Sequence, residues 1–258
     1  MDIKIIVAAH KPAPMPDGKC YMPLHVGRQG REGIGFEGDD SGDNISAKNP
    51  SFCELTGIYW AWKNLRADYV GLAHYRRLFV KGNHMSLKAK WRSVLTDDDW
   101  EHALAGVGVI VPKKRHYFIE TSRSQYEHAH NPHDLVVAEE VLSELHPEAI
   151  GAWHNVMNRT SGHRFNMFVM RRDLFDDYCE FIFSILFEME NRIDTSDYNA
   201  YNGRVFGFIG ERLMDVWLET RGVKYAEQNV AFMGKMNWPH KIYEFLKRKA
   251  KGGVNFKK

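Results

Sequence analysis

The residues of this chain best suited to chemistry are a histidine and two arginines that follow a short apolar run. Residues 69–73 read Tyr-Val-Gly-Leu-Ala, and His74, Tyr75, Arg76 and Arg77 come directly after them. An apolar run bounded by polar residues is typical of a buried strand, and ligands of open α/β sheets bind beyond the carboxyl ends of strands. Because guanidinium groups pair with forked anions, the pattern predicts a phosphate site, with a structural arginine pair as the alternative.

A second candidate pocket lies in the segment before the helix that leads into this strand. Residues 42–49 read Gly-Asp-Asn-Ile-Ser-Ala-Lys-Asn and precede a helix predicted over residues 50–65. Small polar residues at a helix N-terminus bind anions or sugar hydroxyls. Ordinary caps and turns have the same composition. The segment therefore supports a binding pocket only if it lies beside Arg76 and Arg77.

One carboxylate stands out in the C-terminal third of the chain. Glycines bracket an aromatic strand or turn over residues 204–210, and Glu211 follows at the predicted start of a helix. A glutamate there could act as a general base on a hydroxyl nucleophile. It could also stabilise the helix dipole, an effect of a few tenths to about 1 kcal/mol, and spacing alone favours that structural role.

A third polar cluster, residues 128–134, contains three histidines and an aspartate. Such a set suggests a metal site. However, Pro132 interrupts the local geometry, and no cysteine or glutamate completes a known ligand spacing. We therefore expect a polar loop that lines a substrate cleft.

The elements that must position these residues alternate along the chain. Strands are predicted at residues 3–9, 69–73, 107–111 and 165–170. Helices are predicted over residues 50–65, 86–105, 133–146, 173–190 and 210–218. Residues 12–44 are rich in proline and glycine, and we expect them to form a long functional loop. The alternation predicts the α/β class, and 258 residues suit one large domain.

Composition narrows the classes of function. The net charge is only +2, which argues against a nucleic-acid partner. The three cysteines lie far apart, which fits a reducing compartment and neither a disulfide framework nor a zinc site. The first residues do not resemble a signal peptide, and no apolar stretch approaches the ~20 residues that span a bilayer. We therefore expect a cytoplasmic protein, either free or at the inner face of the cell membrane.

The C-terminal end differs in composition from the rest. Residues 239–258 place lysines and an arginine among apolar and aromatic residues. A basic amphipathic tail binds anionic membrane surfaces, whereas a solvated helical end has the same composition, and both interpretations remain open. The predicted division is a domain over residues 1–238 and a tail over residues 239–258.

Three successive stretches resemble one known family. They read Asn-Ile-Ser-Ala-Lys-Asn-Pro-Ser-Phe-Cys-Glu-Leu-Thr at residues 44–56, Tyr-Trp-Ala-Trp-Lys-Asn at residues 59–64, and Asp-Tyr-Val-Gly-Leu-Ala-His-Tyr-Arg-Arg at residues 68–77. This succession resembles the hallmark of the capsular and exopolysaccharide glycosyltransferase family catalogued as domain of unknown function 4422. Residues 165–170 and 204–211 are also similar to that family.

The resemblance implies a GT-A-like fold, with a Rossmann-type mixed sheet flanked by helices. It also implies transfer of a hexosyl residue, galactosyl or galactofuranosyl, from a UDP-sugar with inversion at the anomeric carbon. The expected acceptor is a glycan or an undecaprenyl-linked glycan of a bacterial capsule, O-antigen or exopolysaccharide.

The same resemblance implies roles for individual residues. Glu211 would deprotonate the acceptor hydroxyl, while His74, Arg76 and Arg77 would stabilise the departing UDP. The expected donor-binding residues are Ala8, His10, Lys11, Tyr21, Asp43, Asn44, Ser46, Lys48 and Asn49. The expected acceptor-binding residues are His130, His163, Asn166 and Arg204.

Many GT-A enzymes hold a divalent metal with carboxylates where this chain has His-Tyr-Arg-Arg. We therefore expect no obligatory metal cofactor, with manganese or magnesium as the alternative. Two other functions remain open. One is a non-catalytic module that binds a nucleotide sugar or phosphorylated ligand at a membrane surface, and the other is a nucleotide-dependent hydrolase.

Overall fold

The computed structural model describes residues 1–117 and 119–234. The predicted tail, residues 239–258, lies outside these described residues, so the domain boundary at residue 238 stays a prediction. Within the described residues, no helix combines the length and the apolar character needed to cross a membrane.

Strands and helices alternate along the described chain. The strands are β1 (Ile3–Ala9), β2 (Tyr21–His25), β3 (Glu37–Gly38), β4 (Tyr69–His74), β5 (Arg77–Phe79), β6 (Val109–Pro112), β7 (Arg115–His116), β8 (Ser161–Gly162), β9 (Phe168–Arg171), β10 (Ala226–Gln228) and β11 (Val230–Phe232). The helices are α1 (Asn49–Phe52), α2 (Leu55–Asn64), α3 (Leu87–Arg92), α4 (Asp97–Leu104), α5 (Ser122–Glu127), α6 (His133–Leu145), α7 (Ile150–Asn158), α8 (Arg172–Arg192) and α9 (Val205–Thr220).

One mixed sheet forms the centre of the molecule. In the part of the chain that the structure describes, its strand order is β10-β6-β9-β4-β1-β2-β3, with β5 paired to β4 and β11 paired to β5. The strand β1 runs parallel to both β2 and β4, whereas β9 runs antiparallel to β4. The carboxyl ends of β1 and β4 and the chain entering β9 therefore meet at the same edge of the sheet.

Apolar side chains cover both faces of the sheet. In β1, Ile6 and Ala8 pack into the core that includes α2 and α6 to α9, while Ile5 and Val7 pack into the core that includes Trp100 of α4. Successive residues of a strand point to opposite faces, so this alternation follows from the pleat. The predicted α/β class, with a mixed sheet flanked by helices in a single domain, is confirmed.

The predicted helix over residues 50–65 is wrong in one respect, because the structure divides it into α1 and α2. The break lies at Cys53, whose φ of 53° and ψ of −132° are not helical. The predicted loop over residues 12–44 is also interrupted, because it contains β2 and β3. Composition hid these strands, since Pro23 within β2 and Gly38 within β3 are both uncommon in strands.

The predicted strand or turn over residues 204–210 is instead the first part of α9, so Glu211 does not stand at a helix start. Its two internal glycines serve close packing. A Cβ at Gly207 would lie 3.0 Å from Cys53 Sγ, and a Cβ at Gly210 would lie 3.1 Å from a Leu55 methyl carbon. These glycines let α9 approach the α1–α2 junction, which brings Glu211 towards the sheet edge.

Candidate active site

A cavity of about 870 Å³ opens at the sheet edge where β1 and β4 end. Its walls include these strand ends, the turn before β5, the α1–α2 junction and the first half of α9. This is the position expected for a ligand site in an α/β sheet. The predicted site residues that line the cavity are Ala8, His10, Asn49, His74, Arg76, Arg77, Arg204 and Glu211.

The rim of the cavity carries a linked group of His10, Tyr75 and Arg76. Arg76 Nε donates to the Tyr75 hydroxyl at 2.6 Å, and the Tyr75 ring meets the His10 ring edge-on with centroids 5.4 Å apart. Partial burial lowers the pKa of His10, and the charges of Arg76 and Lys11 lower it further. The imidazole is therefore neutral near pH 7, in a positive local potential that favours an anion.

Arg77 lies deeper and is half-buried. Its guanidinium carbon is 4.3 Å from the ring centroid of Phe165 and 5.9 Å from that of Phe232. Burial lowers the pKa of Arg77 and the nearby Glu211 carboxylate opposes this, yet a guanidinium stays charged at any relevant pH. Packing against aromatic rings restrains the guanidinium, and in the described part of the chain its N–H groups remain available to bind a forked anion.

Within residues 1–117 and 119–234, neither Arg76 nor Arg77 forms an ion pair with a carboxylate. The alternative of a structural arginine pair needs such partners, so the geometry argues against it. The turn between the antiparallel strands β4 and β5, where His74 pairs with Arg77, brings the motif residues to one cavity. The charge of the two arginines is therefore available to a ligand.

Phe165 connects two of the predicted catalytic residues through its backbone. His74 Nε2 donates to Phe165 O at 2.7 Å, and Phe165 N donates to Glu211 Oε1 at 3.0 Å. Phe165 has a φ of 79°, in the left-handed region that non-glycine residues rarely adopt. The Glu211 side chain remains 20% exposed, so it is anchored but still accessible from the cavity.

A second carboxylate in the cavity, Glu54, was missed by the sequence analysis. Asn166 Nδ2 donates to Glu54 Oε1 at 2.8 Å and to Gly207 O at 3.1 Å, which fixes the amide orientation because both partners are acceptors. The break at Cys53 separates Glu54 from α1. Glu54 lies inside the family-like stretch at residues 44–56, and this was the sequence signal that could have identified it. The prediction of one continuous helix over residues 50–65 concealed its position in the cavity.

Two further arginines add positive charge to the cavity. Arg204 Nε donates to Cys53 Sγ at 3.1 Å, and its guanidinium carbon lies 5.3 Å from the Phe208 ring centroid. Burial acts to lower the pKa of Arg204, but Cys53 and Glu54 outweigh it and raise the pKa above its ordinary value. Arg31, from the glycine-rich segment between β2 and β3, also lines the cavity and was not predicted.

Several predicted donor-binding residues do not line the cavity and have structural partners. The Tyr21 hydroxyl donates to Leu95 O at 2.7 Å on the opposite face of the sheet, and Lys48 Nζ pairs with a Glu190 oxygen at 2.5 Å. The predicted donor-binding residues outside the cavity lining are Lys11, Tyr21, Asp43, Asn44, Ser46 and Lys48.

Polar residues before α1 form hydrogen bonds to the buried Asp39 carboxylate. This buried carboxylate accepts hydrogen bonds from Gly27 N at 2.8 Å, from Thr56 Oγ1 at 2.6 Å and from the Ser46 hydroxyl. It thereby joins the glycine-rich segment, the residues before α1, and α2. Ser46 does not line the cavity. Through Asp39 it helps to hold the glycine-rich segment that carries Arg31.

His130 supports the cavity wall from behind. Its Nδ1 is 2.8 Å from Asn202 Oδ1, and burial lowers the pKa of its imidazole to about 4. The ring stacks on Tyr201 with centroids 5.6 Å apart and planes 21° apart. Tyr201 lines the cavity with 49% of its surface exposed, and an aromatic among small polar residues was the sequence signal that could have found it.

His163 and Asn166 also lie behind the cavity rather than in its lining. The His163 ring is buried between Asp215, which bonds to Nδ1, and Glu227, whose Oε1 is 3.1 Å from Nε2. Because His163 is two residues before Phe165, these contacts fix the segment that positions His74 and Glu211.

The histidine-rich residues 128–134 do not converge. His128 Nδ1 is 2.9 Å from Glu120 Oε1, whereas His130 is buried against Asn202. Across residues 1–117 and 119–234, no group of three or more His, Cys, Asp or Glu side chains is arranged to hold a metal ion. The segment does not line the described cavity either, although His130 packs against residues that do.

Comparisons with known proteins agree with this fold. Residues 4–222 match the family model described as Domain of unknown function (DUF4422). A solved structure, "WbbM bifunctional glycosytransferase apo structure", is 32% identical with a TM-score of 0.83 over 91% of this chain and 46% of that chain. This chain thus spans less than half of that protein, and no curated protein matches it. Since the family model covers most of its length, the chain belongs to the DUF4422 family.

Proposed function

We propose that the protein is a glycosyltransferase that moves a hexosyl residue from a UDP-sugar to a glycan or lipid-linked acceptor. The observation that carries this proposal is the meeting of Arg76 and Arg77, free of carboxylate partners in the described chain, with the anchored Glu211 in one cavity. The two guanidinium groups suit the binding of a diphosphate, and the Glu211 carboxylate suits the activation of a hydroxyl. The likeness to a bifunctional glycosyltransferase structure supports this assignment.

The donor diphosphate binds at the strand-end arginines. Arg76 and Arg77 contact the phosphates, and Arg31 adds positive charge to the same cavity. Each charge-assisted hydrogen bond contributes on the order of 1.5–3 kcal/mol. Ala8, His10 and Asn49 line the same cavity and contact the rest of the donor, while Ser46 acts indirectly through its hydrogen bond to the buried Asp39 carboxylate.

Transfer then follows as an in-line displacement. A Glu211 oxygen takes the proton of the acceptor hydroxyl, and that hydroxyl oxygen forms the new bond to the anomeric carbon. The bond from the anomeric carbon to the diphosphate oxygen breaks, and UDP leaves with its electron pair. Attack opposite the leaving group inverts the anomeric centre. His74 maintains the Phe165 backbone that anchors Glu211.

The cavity wall around Tyr201, Phe208 and Arg204 is the proposed acceptor side. Aromatic rings present a flat apolar surface, to which tyrosine adds a hydroxyl group, and such a surface suits the face of a sugar ring. Following the family resemblance, we propose a galactosyl or galactofuranosyl donor and an acceptor of a bacterial capsule, O-antigen or exopolysaccharide. An undecaprenyl-linked acceptor would place the protein at the inner face of the cell membrane.

The proposal assigns charge neutralisation of the leaving diphosphate to guanidinium groups. Two such groups supply stabilisation comparable to the several kcal/mol that a divalent ion contributes. We therefore expect transfer to persist in EDTA. Complete loss of transfer in EDTA, restored by manganese or magnesium, would show that a metal takes this role instead.

The test of the overall function is UDP release from a panel of UDP-sugars, measured with and without a polysaccharide or lipid-linked acceptor. A transferase releases UDP at a rate that depends on the acceptor and yields an extended glycan. Saturable binding without turnover would identify a non-catalytic binding module. Equal UDP release in the absence of acceptor would identify a hydrolase.

A further inference from the structure

A second concave surface lies beside the candidate active site, around the short helix α3. Residues 81–96 connect β5 to α4 and contain four lysine or arginine residues but no aspartate or glutamate. A groove of about 460 Å³ opens here. We call it the α3 groove, and its lining residues are Lys81, His84, Ser86, Lys88, Ala89, Arg92 and Ser93.

The charge of the α3 groove is only partly neutralised. Lys81 pairs with Asp99 at 2.9 Å. Lys88 and Arg92 are exposed, and neither forms an ion pair with any residue that the structure describes. The groove therefore presents two available cations, which is a chemical match for phosphate-bearing anions.

Apolar side chains stand next to these cations and face solvent. Met85 is 99% exposed and Leu87 is 42% exposed. Exposed apolar residues flanked by lysine and arginine are typical of surfaces that lie in a membrane interface. A free phosphate would contact only the cations, whereas an anionic phospholipid offers a phosphate to the cations and an acyl region to Met85 and Leu87.

Helix α3, which contributes to the groove, contacts a residue of the cavity wall. Lys90 Nζ donates to Phe232 O at 3.2 Å, and Phe232 lines the cavity. Strand β5 begins at Arg77 in the cavity and leads within two residues of its end to Lys81 in the groove. A surface bound in the groove would therefore lie beside the cavity.

We propose that the α3 groove docks the protein on an anionic phospholipid surface. Met85 and Leu87 enter the acyl boundary, while Lys88 and Arg92 bind headgroup phosphates. Docking itself stands on this geometry alone. Its consequence, the delivery of a lipid-linked acceptor to the cavity, rests on the proposed function.

The test uses the full-length protein and sedimentation with vesicles of phosphatidylcholine, with and without phosphatidylglycerol. The wild type should bind only the anionic vesicles, and less tightly as salt rises. Two double variants, Met85→Ser with Leu87→Ser and Lys88→Glu with Arg92→Glu, should each lower the vesicle partition coefficient at least about tenfold. Folding of each variant is checked by its melting temperature.

Matched controls lie elsewhere on the described surface. Ile119 is 71% exposed and Arg66 is exposed without an ion pair in the described chain. The changes Ile119→Ser and Arg66→Glu should leave vesicle binding within about twofold of wild type, because neither residue lines the groove and an isolated surface change alters little.

Three results would overturn the proposal. The first is equal binding to neutral vesicles. The second is unchanged binding of folded groove variants, which would assign the contact to another surface. The third is displacement by soluble glycerol phosphate at the same concentration as lipid phosphate, which would identify a site for a free phosphate. Since no sugar donor is present, these results are independent of the proposed transferase activity.

Discussion

Arg77 illustrates how a single side chain is prepared for an anion. Aromatic rings restrain its guanidinium, burial removes part of its hydration, and no carboxylate in the described residues pairs with it. A lysine at this position would keep the charge but lose the planar fork and the stacking on Phe165. The identity of the side chain, beyond its charge, should therefore matter.

We expect Arg77→Lys to lower kcat/KM for the sugar donor by about 10- to 100-fold, the equivalent of losing one charge-assisted hydrogen bond. The measurement is UDP release at limiting donor concentration. The matched control is Arg66→Lys, an exposed arginine outside the cavity lining, which should behave as wild type. Unaltered kinetics for the Arg77 variant would remove this residue from diphosphate binding.

Glu211 is the proposed base, and its amide variant separates chemistry from architecture. Glu211→Gln keeps an oxygen that can accept from Phe165 N, but the amide cannot take a proton. We expect kcat to fall by about 10²–10⁴-fold while the donor dissociation constant stays near its wild-type value. Glu219→Gln, on the same helix but outside the cavity lining, serves as the control. Sustained turnover by the Glu211 variant would assign the base elsewhere, with Glu54 as the next candidate.

At the scale of elements, the site depends on backbone in uncommon conformations. In residues 1–117 and 119–234, the non-glycine residues with positive φ are Cys53, Phe165 and Asn166. All of them adjoin the two cavity carboxylates, because Asn166 contacts Glu54 and Phe165 contacts Glu211. Such conformations persist only where surrounding contacts enforce them, and they concentrate at functional sites.

Helix α2 reaches the sheet through a glycine, which gives a test at this scale. A Cβ at Gly57 would lie 2.9 Å from Val26 Cγ1 and 3.3 Å from Leu24 Cδ2. We expect Gly57→Ala to lower the free energy of unfolding by about 1–3 kcal/mol through overpacking. Gly151→Ala in α7 is the matched control, since nothing lies within 4 Å of its Cβ position.

The control should raise the free energy of unfolding by up to about 1 kcal/mol, because alanine favours helix over glycine. Urea unfolding of both variants measures the two effects. Equal stability of the two alanine variants would show that α2 does not depend on this close approach.

At the scale of the whole molecule, buried histidine links stability to pH. Burial lowers the pKa of His130 to about 4 from its ordinary 6.5. Between these values the unfolded chain binds a proton that the folded protein does not, so stability falls as pH drops from 6.5 towards 4. Above pH 6.5 the imidazole is neutral in both the folded and the unfolded protein, so His130 no longer makes stability depend on pH.

We expect His130 to account for a loss of about 2 kcal/mol in the free energy of unfolding between about pH 7 and about pH 5. Urea titrations of wild type and His130→Gln at both pH values measure it. The variant lacks the titrating ring, so its stability should fall less over this interval, although it starts lower. Identical pH dependence of the two proteins would contradict a depressed pKa for His130.

Local patterns in the chain were sufficient for much of the architecture. The run at residues 3–9 predicted β1 with its observed bounds. The resemblance to the DUF4422 family is matched by the family model over residues 4–222. Strand β2 escaped because Pro23 and the surrounding glycines resemble a loop.

The alternation of apolar strand and helix patterns determined the fold class, and the run His74 to Arg77 placed positive charge at a strand end. Both features depend only on residues that are neighbours in the chain. Only the tertiary structure decided which side chains share the cavity. It brought Glu54, Arg31 and Tyr201 to the lining and kept Tyr21 and His163 out of it. The physical reason is that a helix break at Cys53, glycine contacts along α9 and the buried Asp39 carboxylate act between segments distant in the chain.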